Sequence, residues 1–203
     1  MGLEPIQQIV QVAQSRYQKD QLLVIAIDGA GGAGKSTLCQ TLAAQIATWA
    51  PPQVLKLDDF YHPLDRLERA QLHQVQARQA YFNVDQFKQN ILRPLRLGHR
   101  ASYKPIHWLN GEGEQAVELL TRGVLLLDGV FSFSKPLRDM VDLSLFVDTP
   151  PQLRQQRLLA RPQLSTDWVS HWQATEAWHH EHEQTANAVD FVFSGSESLK
   201  PTG

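Results

Sequence analysis

The stretch that most constrains this chain is LLVIAIDGAGGAGKSTLCQTL, residues 22–42. Residues 22–27 form an unbroken apolar run, as expected of a strand buried on both faces. Leu38, Leu42, Ile46 and Trp49 then recur at helical spacing. Between them, four glycines fall within residues 29–34, broken only by Ala30 and Ala33. Glycine is costly in conformational entropy, so such a cluster marks a place that needs bare backbone. Strand, glycine loop and helix, in that order, give Gly29, Gly34, Lys35 and Ser36 the context in which G-x-x-x-x-G-K-[ST] reads as a phosphate-binding loop. The backbone of Gly29, Ala30, Gly31, Gly32, Ala33, Gly34, Lys35, Ser36 and Thr37, together with the helix N-terminus, would cradle the phosphates of ATP. Lys35 would reach the β and γ oxygens, and the Ser36 hydroxyl would hold Mg²⁺.

The rest of the chain supplies a sheet for that loop. Val54–Leu57, Val124–Leu127, Leu143–Val147 and Phe191–Phe193 read as further strands, separated by segments of helical period. Ile6, Ile9, Val10, Ala13 and Tyr17 mark a first amphipathic helix, and Phe87, Ile91, Leu92 and Leu95 mark another, closed by Gly98. Residues 63–80, 151–161 and 167–187 also read as helical, whereas 99–115 reads as a loop and the polar tail 196–203 as loose. Strands alternating with helices predict an α/β fold: a parallel sheet with helices on both faces, here as a P-loop NTPase fold with a small helical lid over about 151–187. A length of 203 residues suits one domain over 1–203. A net charge of −2 offers no broad basic field for nucleic acid. No apolar run reaches membrane length, the start lacks the pattern of a secretory leader, and Ile6 breaks a myristoylation motif. A single cysteine, Cys39, excludes an internal disulfide and agrees with a cytoplasmic setting. Nothing in the sequence speaks to oligomeric state.

Ligands of open α/β sheets sit beyond the carboxyl ends of the strands, and several carboxylates fall there. Asp128 ends VLLLD, the position from which a carboxylate meets Mg²⁺ directly or through water. Asp58 and Asp59 follow the second strand and are both candidates for the base that takes a proton from an acceptor hydroxyl. Asp148, followed by Thr149, Pro150 and Pro151, reads as a helix cap, with Thr149 as its rival. Arg154, Arg157 and Arg161 stand at i, i+3 and i+7, on one stripe of a helix, where a row of guanidinium groups makes a phosphate clamp.

GAGGAGKST, LDDFYHP (57–63), YFNVDQF (81–87), RGVLLLDGVFSF (122–133) and DLSLFVDTPPQLRQQRLLAR (142–161), in this order, resemble the uridine kinase and phosphoribulokinase superfamily of P-loop kinases. The resemblance covers about residues 22–195. It implies Asp58 as the catalytic base, Asp59 beside it, and Phe60 and Tyr61 as walls of an acceptor pocket. It also implies Tyr103 and His107 of SYKPIHW as contacts to the acceptor, and a lid whose Arg154, Arg157 and Arg161 close over the triphosphate, with Arg157 catalytic. Where the superfamily has Glu-Gly after the third strand, this chain has Asp128-Gly129, and where it often has Asp after the last arginine, this chain has Pro162. Pro-Gln-x-Ser-x-Asp-Trp at 162–168 is similar to nicotinamide riboside kinases. Trp168, Trp172 and Trp178 read as packing groups, and His179 and His182 lack a zinc-binding pattern. The resulting expectation is a kinase using ATP and Mg²⁺ on a small nucleoside-like acceptor, with a nicotinamide riboside kinase or an ATP-binding switch NTPase as the alternatives.

Overall fold

The computed structural model describes residues 4–62, 68, 71–107, 111–112, 115–161 and 164–196, and leaves the side chains of 107, 111 and 112 undescribed. Its elements are α1 (Pro5–Arg16), β1 (Leu22–Asp28), α2 (Lys35–Ile46), β2 (Pro52–Lys56), α3 (Gln74–Tyr81), α4 (Val84–Phe87), α5 (Arg93–Arg96), β3 (Ala101–Tyr103), β4 (Ile106–His107), β5 (Gly111–Glu112), β6 (Val117–Leu119), β7 (Gly123–Asp128), β8 (Leu143–Asp148), α6 (Pro151–Leu159), α7 (Thr166–Glu183), α8 (Thr185–Ala188) and β9 (Phe191–Ser194). Short 3₁₀ segments span Leu57–Phe60 and Lys135–Met140, and a π-helical turn, Lys88–Leu92, joins α4 to α5.

Five strands pair in parallel in the order β2-β7-β1-β8-β9. Every residue of β1 and β7 is buried, which is what their unbroken apolar runs require. Successive side chains of β1 point to opposite faces, and the core divides accordingly. Leu23, Ile25 and Ile27 pack with Ile9 and Ala13 of α1 and Leu38, Leu42 and Ile46 of α2. Leu22 and Val24 join the opposite core, with Ala77, Tyr81, Phe87, Ile91, Leu92, Leu95 and Trp172. No helix among the described residues is long and apolar enough to cross a membrane.

Three expectations change in detail. Within residues 99–115, expected to be a loop, β4 pairs with β5, and β3 pairs with β6 just beyond it, both antiparallel. Ala101 and Leu119 point inward from the β3–β6 pair and anchor it to the core. Of the helix expected over 63–80, Gln74–Tyr81 is observed, while 63–67, 69 and 70 lie outside the described residues. Asp148 is not a cap. Helix α6 begins after Pro150, with Pro151 in its first turn, where the missing N–H is not needed. The Thr149 hydroxyl is not a cap either: it donates to the Ala33 carbonyl at 2.8 Å, tying the end of β8 to the glycine loop.

Candidate functional site

The glycine loop leaves the end of β1 and runs into α2, beside the carboxyl ends of β7 and β8. Gly29 holds φ +137°, and a Cβ there would stand 2.6 Å from the Val147 carbonyl oxygen, so neither the conformation nor the space admits a side chain. Ahead of it, Asp28 is fully buried. Its carboxylate accepts from the N–H groups of Gly29 (2.7 Å), Phe131 (3.2 Å) and Phe133 (2.9 Å) and pairs with His180 Nε2 at 3.1 Å. Burial works against its charge, but the His180 hydrogen bond and charge, the influence of His179 and the Phe133 N–H prevail and hold the carboxyl below the usual aspartate range. One carboxylate thus pins together the start of the glycine loop, the segment after β7 and helix α7. Asp28, His179 and His180 bring potential ligand atoms within 4.8 Å of one another, but the Asp28 oxygens are taken up by backbone donors, so the cluster reads as an anchor rather than a metal centre.

Lys35 is buried and its Nζ donates to the Ala30 carbonyl at 3.0 Å, folding back over its own loop. A cavity of about 330 Å³ opens beside it, walled by Gly32, Gly34, Ser36, Thr37, Arg157 and Arg161 and closed by Val147, Phe193 and Gly195. Arg157 donates to the carbonyls of Gly32 (3.2 Å), Ala33 (3.3 Å) and Gly195 (3.0 Å). Arg161 lies beyond the end of α6 at Leu159, yet it borders the same cavity. Arg154 turns elsewhere: its Nε donates to the Thr149 carbonyl at 3.0 Å, and its guanidinium approaches Glu176 at 3.9 Å. The three arginines therefore do not form one stripe, because the helix ends before the third.

Asp58 and Asp59 lie in the 3₁₀ turn after β2. Asp58 is exposed, yet the protein around it displaces enough water to push its carboxyl up. Lys35 opposes that rise, Asp128 and Asp59 add to it, and Arg161 lowers it again. Asp59 accepts from the Tyr103 hydroxyl at 3.0 Å, and burial followed by this carboxylate raises the phenol. Phe60 lies against Tyr103 with ring centroids 4.5 Å apart and meets Phe87 edge-on at 4.9 Å. Asp59, Phe60 and Tyr103 wall a second cavity, of about 220 Å³, with the amides Asn83, Gln86 and Asn90. Tyr61 is absent from that wall. Its hydroxyl donates to the Val130 carbonyl at 2.9 Å, and its ring packs among Phe82, Phe131 and Trp172. His107 contributes backbone to β4, and its side chain lies outside the described residues.

Asp128 ends β7 in register with Ile27 on one side and Lys56 on the other. Its carboxylate and the Ser36 hydroxyl are the hard oxygen donors that Mg²⁺ favours, at strand and helix ends flanking the loop. Residues that the sequence reading passed over are Asp28, Glu176 and His180, and Thr149 was read only as a cap. Asp28 was visible as the one charged residue closing an apolar run, and Glu176 and His180 as members of a Trp172–Glu176–His180 spacing along one helix face.

A family model described as "Phosphoribulokinase / Uridine kinase family" matches residues 24–166. A uridine kinase of Leuconostoc citreum (strain KM20) is 31% identical over 145 residues, 68% of this chain and 68% of that protein. Uridine-cytidine kinase B of Dictyostelium discoideum is 28% identical over 145 residues, which make up 57% of its own length. Among solved structures, one from Bacillus stearothermophilus described as a "possible uridine kinase" aligns with a TM-score of 0.70 at 21% identity, covering 93% of this chain and 96% of that one. A D-glycerate 3-kinase from Cryptococcus neoformans aligns with a TM-score of 0.63 at 13% identity, covering 96% and 97%. At such identities these two structures establish the shared fold alone.

Proposed function

Because the chain belongs to the phosphoribulokinase/uridine kinase family, and is thus a P-loop kinase that phosphorylates a hydroxyl, we propose that its acceptor is a small nucleoside and its donor ATP with Mg²⁺. The observation that carries this reading is the second cavity. A planar base can stack on the aromatic wall that Phe60 and Tyr103, packed against each other, present to it. Asn83, Gln86 and Asn90 offer neutral donors and acceptors of the kind that bind amide and hydroxyl groups, and the charged Lys104 on the same wall is matched by the Asp59 carboxylate. A sugar reaching from there toward Asp58 would present its hydroxyl to the base.

In this reading Asp58 accepts the proton of the acceptor hydroxyl. The acceptor oxygen then bonds to the γ-phosphorus while the bond to the β–γ bridging oxygen breaks, releasing ADP. A base whose affinity for protons is raised toward neutrality suits that step. Lys35 and the N–H groups of the loop balance the charge on the transferred group, and Arg157 and Arg161 approach it from the lid side. Ser36 and Asp128 would hold Mg²⁺, which supplies neutralisation of the phosphate charge. A second reading rests on Asp59. A carboxylate beside two aromatic faces also suits a cationic base, such as the pyridinium of nicotinamide riboside.

The test is an ADP-release measurement across uridine, cytidine, nicotinamide riboside, pantothenate, ribulose 5-phosphate and glycerate. Stimulation by uridine or cytidine is expected. Stimulation by nicotinamide riboside alone would favour the second reading, and stimulation only by the anionic acceptors would sink both.

A further inference from the structure

Glu176 sits in the middle of α7, and its side chain is wholly buried. Its Oε1 accepts a hydrogen bond from the Gly31 N–H at 2.8 Å. Its Oε2 has no hydrogen-bond partner among the described residues, the nearest cation being Arg154 Nη1 at 3.9 Å. The charges that favour its ionised form are those of Lys35, His180 and Arg154, yet burial outweighs them and raises the carboxyl. The loop makes room for this contact: a Cβ on Gly31 would stand 2.9 Å from Glu176 Oε1 and 3.5 Å from Trp172 Nε1.

The donors around this carboxylate have a common character. A backbone N–H of the glycine loop, the loop lysine and an arginine that follows β8 are the groups a P-loop protein assembles for a polyphosphate. Here a carboxylate of the protein's own sequence lies among them. From this geometry we propose that Glu176 stands in for the nucleotide's terminal phosphates, occupying the Gly31 donor until a polyphosphate drives it off. Two anions cannot share one buried donor set without mutual repulsion, so nucleotide and Glu176 compete. The competition also links the loop to α7, because displacing the side chain loosens the helix from the loop. A carboxylate with an unpartnered oxygen is well suited to leave, since departure relieves its desolvation.

This inference rests on the ATP reading, and the test separates the two. ATP, inorganic tripolyphosphate and adenosine are titrated by calorimetry into the wild-type protein, Glu176→Gln and Glu176→Ala, with thermal melting to confirm that each is folded. Glutamine keeps the shape without the charge, and alanine frees the Gly31 N–H altogether. The expected result is ATP and tripolyphosphate binding roughly tenfold tighter in both variants, about the worth of one charge-assisted hydrogen bond. Adenosine, which has no phosphate, should bind all three proteins equally. A purely structural role for Glu176 would instead weaken every ligand. ATP affinity that is equal or weaker in both variants overturns the inference alone. If none of the three proteins binds ATP, the kinase reading falls and takes the inference with it.

Discussion

At the scale of single residues, the proposed base Asp58 is what would separate a kinase from a protein that only binds nucleotide. Its carboxyl is raised chiefly by the water that the neighbouring protein displaces, with Lys35 opposing and Asp128 and Asp59 reinforcing. A base must be deprotonated to act, so acceptor-dependent turnover should rise with pH along an acid limb displaced above the ordinary aspartate range. Asp58→Asn should lower turnover by roughly 10²–10⁴-fold, the usual contribution of a general base, and abolish that limb, while ATP affinity stays within a factor of a few. Steady-state rates against pH, paired with calorimetry, check both halves, and an acid limb that survives in Asp58→Asn would assign the base elsewhere. Asp59→Ala should act differently. Its loss frees the Tyr103 hydroxyl and disturbs the aromatic wall, so it should raise the KM of the acceptor more than it lowers kcat.

At the scale of elements, α6 and the glycine loop are joined through carbonyl contacts. Arg157 reaches three carbonyls, two on the loop and one at Gly195 after β9, with a planar fork that a lysine lacks. Arg157→Lys should therefore cut kcat by roughly 10- to 100-fold, the worth of one or two charged hydrogen bonds, and leave ATP affinity within a few-fold. Unchanged kcat would mean that these contacts only brace the loop. The elements also show how far the sequence could be read. The runs at 22–27, 124–127 and 143–147 could hardly be anything but buried parallel strands, and they became β1, β7 and β8. The strands within 101–119 span two or three residues each, too few to show a period, and their pairing depends on partners distant along the chain. Of the residues that line the two cavities, Lys35 was marked by the glycine motif, Asp59 by its place after a strand, and Phe60 by the family resemblance. Glu176 and His180 were not, because a helix carrying Trp, His and Glu looks like packing until its partners, Gly31 and Asp28, are known. The arginine stripe misled for a related reason: spacing assumes a helix that continues, and α6 stops at Leu159.

At the scale of the whole molecule, α7 connects the glycine loop and the end of β1 to the core on the far face of the sheet. Over 18 residues, about 27 Å, it carries Trp168 and Trp172 against Tyr81, Glu176 against Gly31, His180 against Asp28, and Glu183 against the Lys135 N–H and Arg78. Its buried face is thus largely polar, and such a face makes stability depend on pH. His179 lies edge-on to Phe131 at 4.5 Å, with Glu183 3.6 Å from its Nδ1 and no hydrogen-bond partner among the described residues for either ring nitrogen. Burial pushes its affinity for protons down, to a pKa of about 3; Asp28 opposes, while His180, Arg78 and Arg138 reinforce. An unfolded histidine takes up its proton near pH 6.5. Between about pH 6.5 and 3 the unfolded chain therefore binds a proton that the folded chain refuses, and stability falls with pH at up to about 1.4 kcal/mol per unit. Asp58 and Glu176, whose carboxyls are raised, pull the other way, since protonation relieves their burial as the pH drops. The net acid response mixes these signs, but a comparison of variants isolates one of them. His179→Leu removes the refused proton and two unpartnered nitrogens while leaving an apolar side chain against Phe131. Its melting temperature should match or exceed that of the wild type at pH 7.5, and its advantage should widen at pH 5.5 and widen further at pH 4.5. Differential scanning calorimetry at the three values tests this directly, and an advantage that stays constant or shrinks as the pH falls would show that His179 is charged in the folded protein.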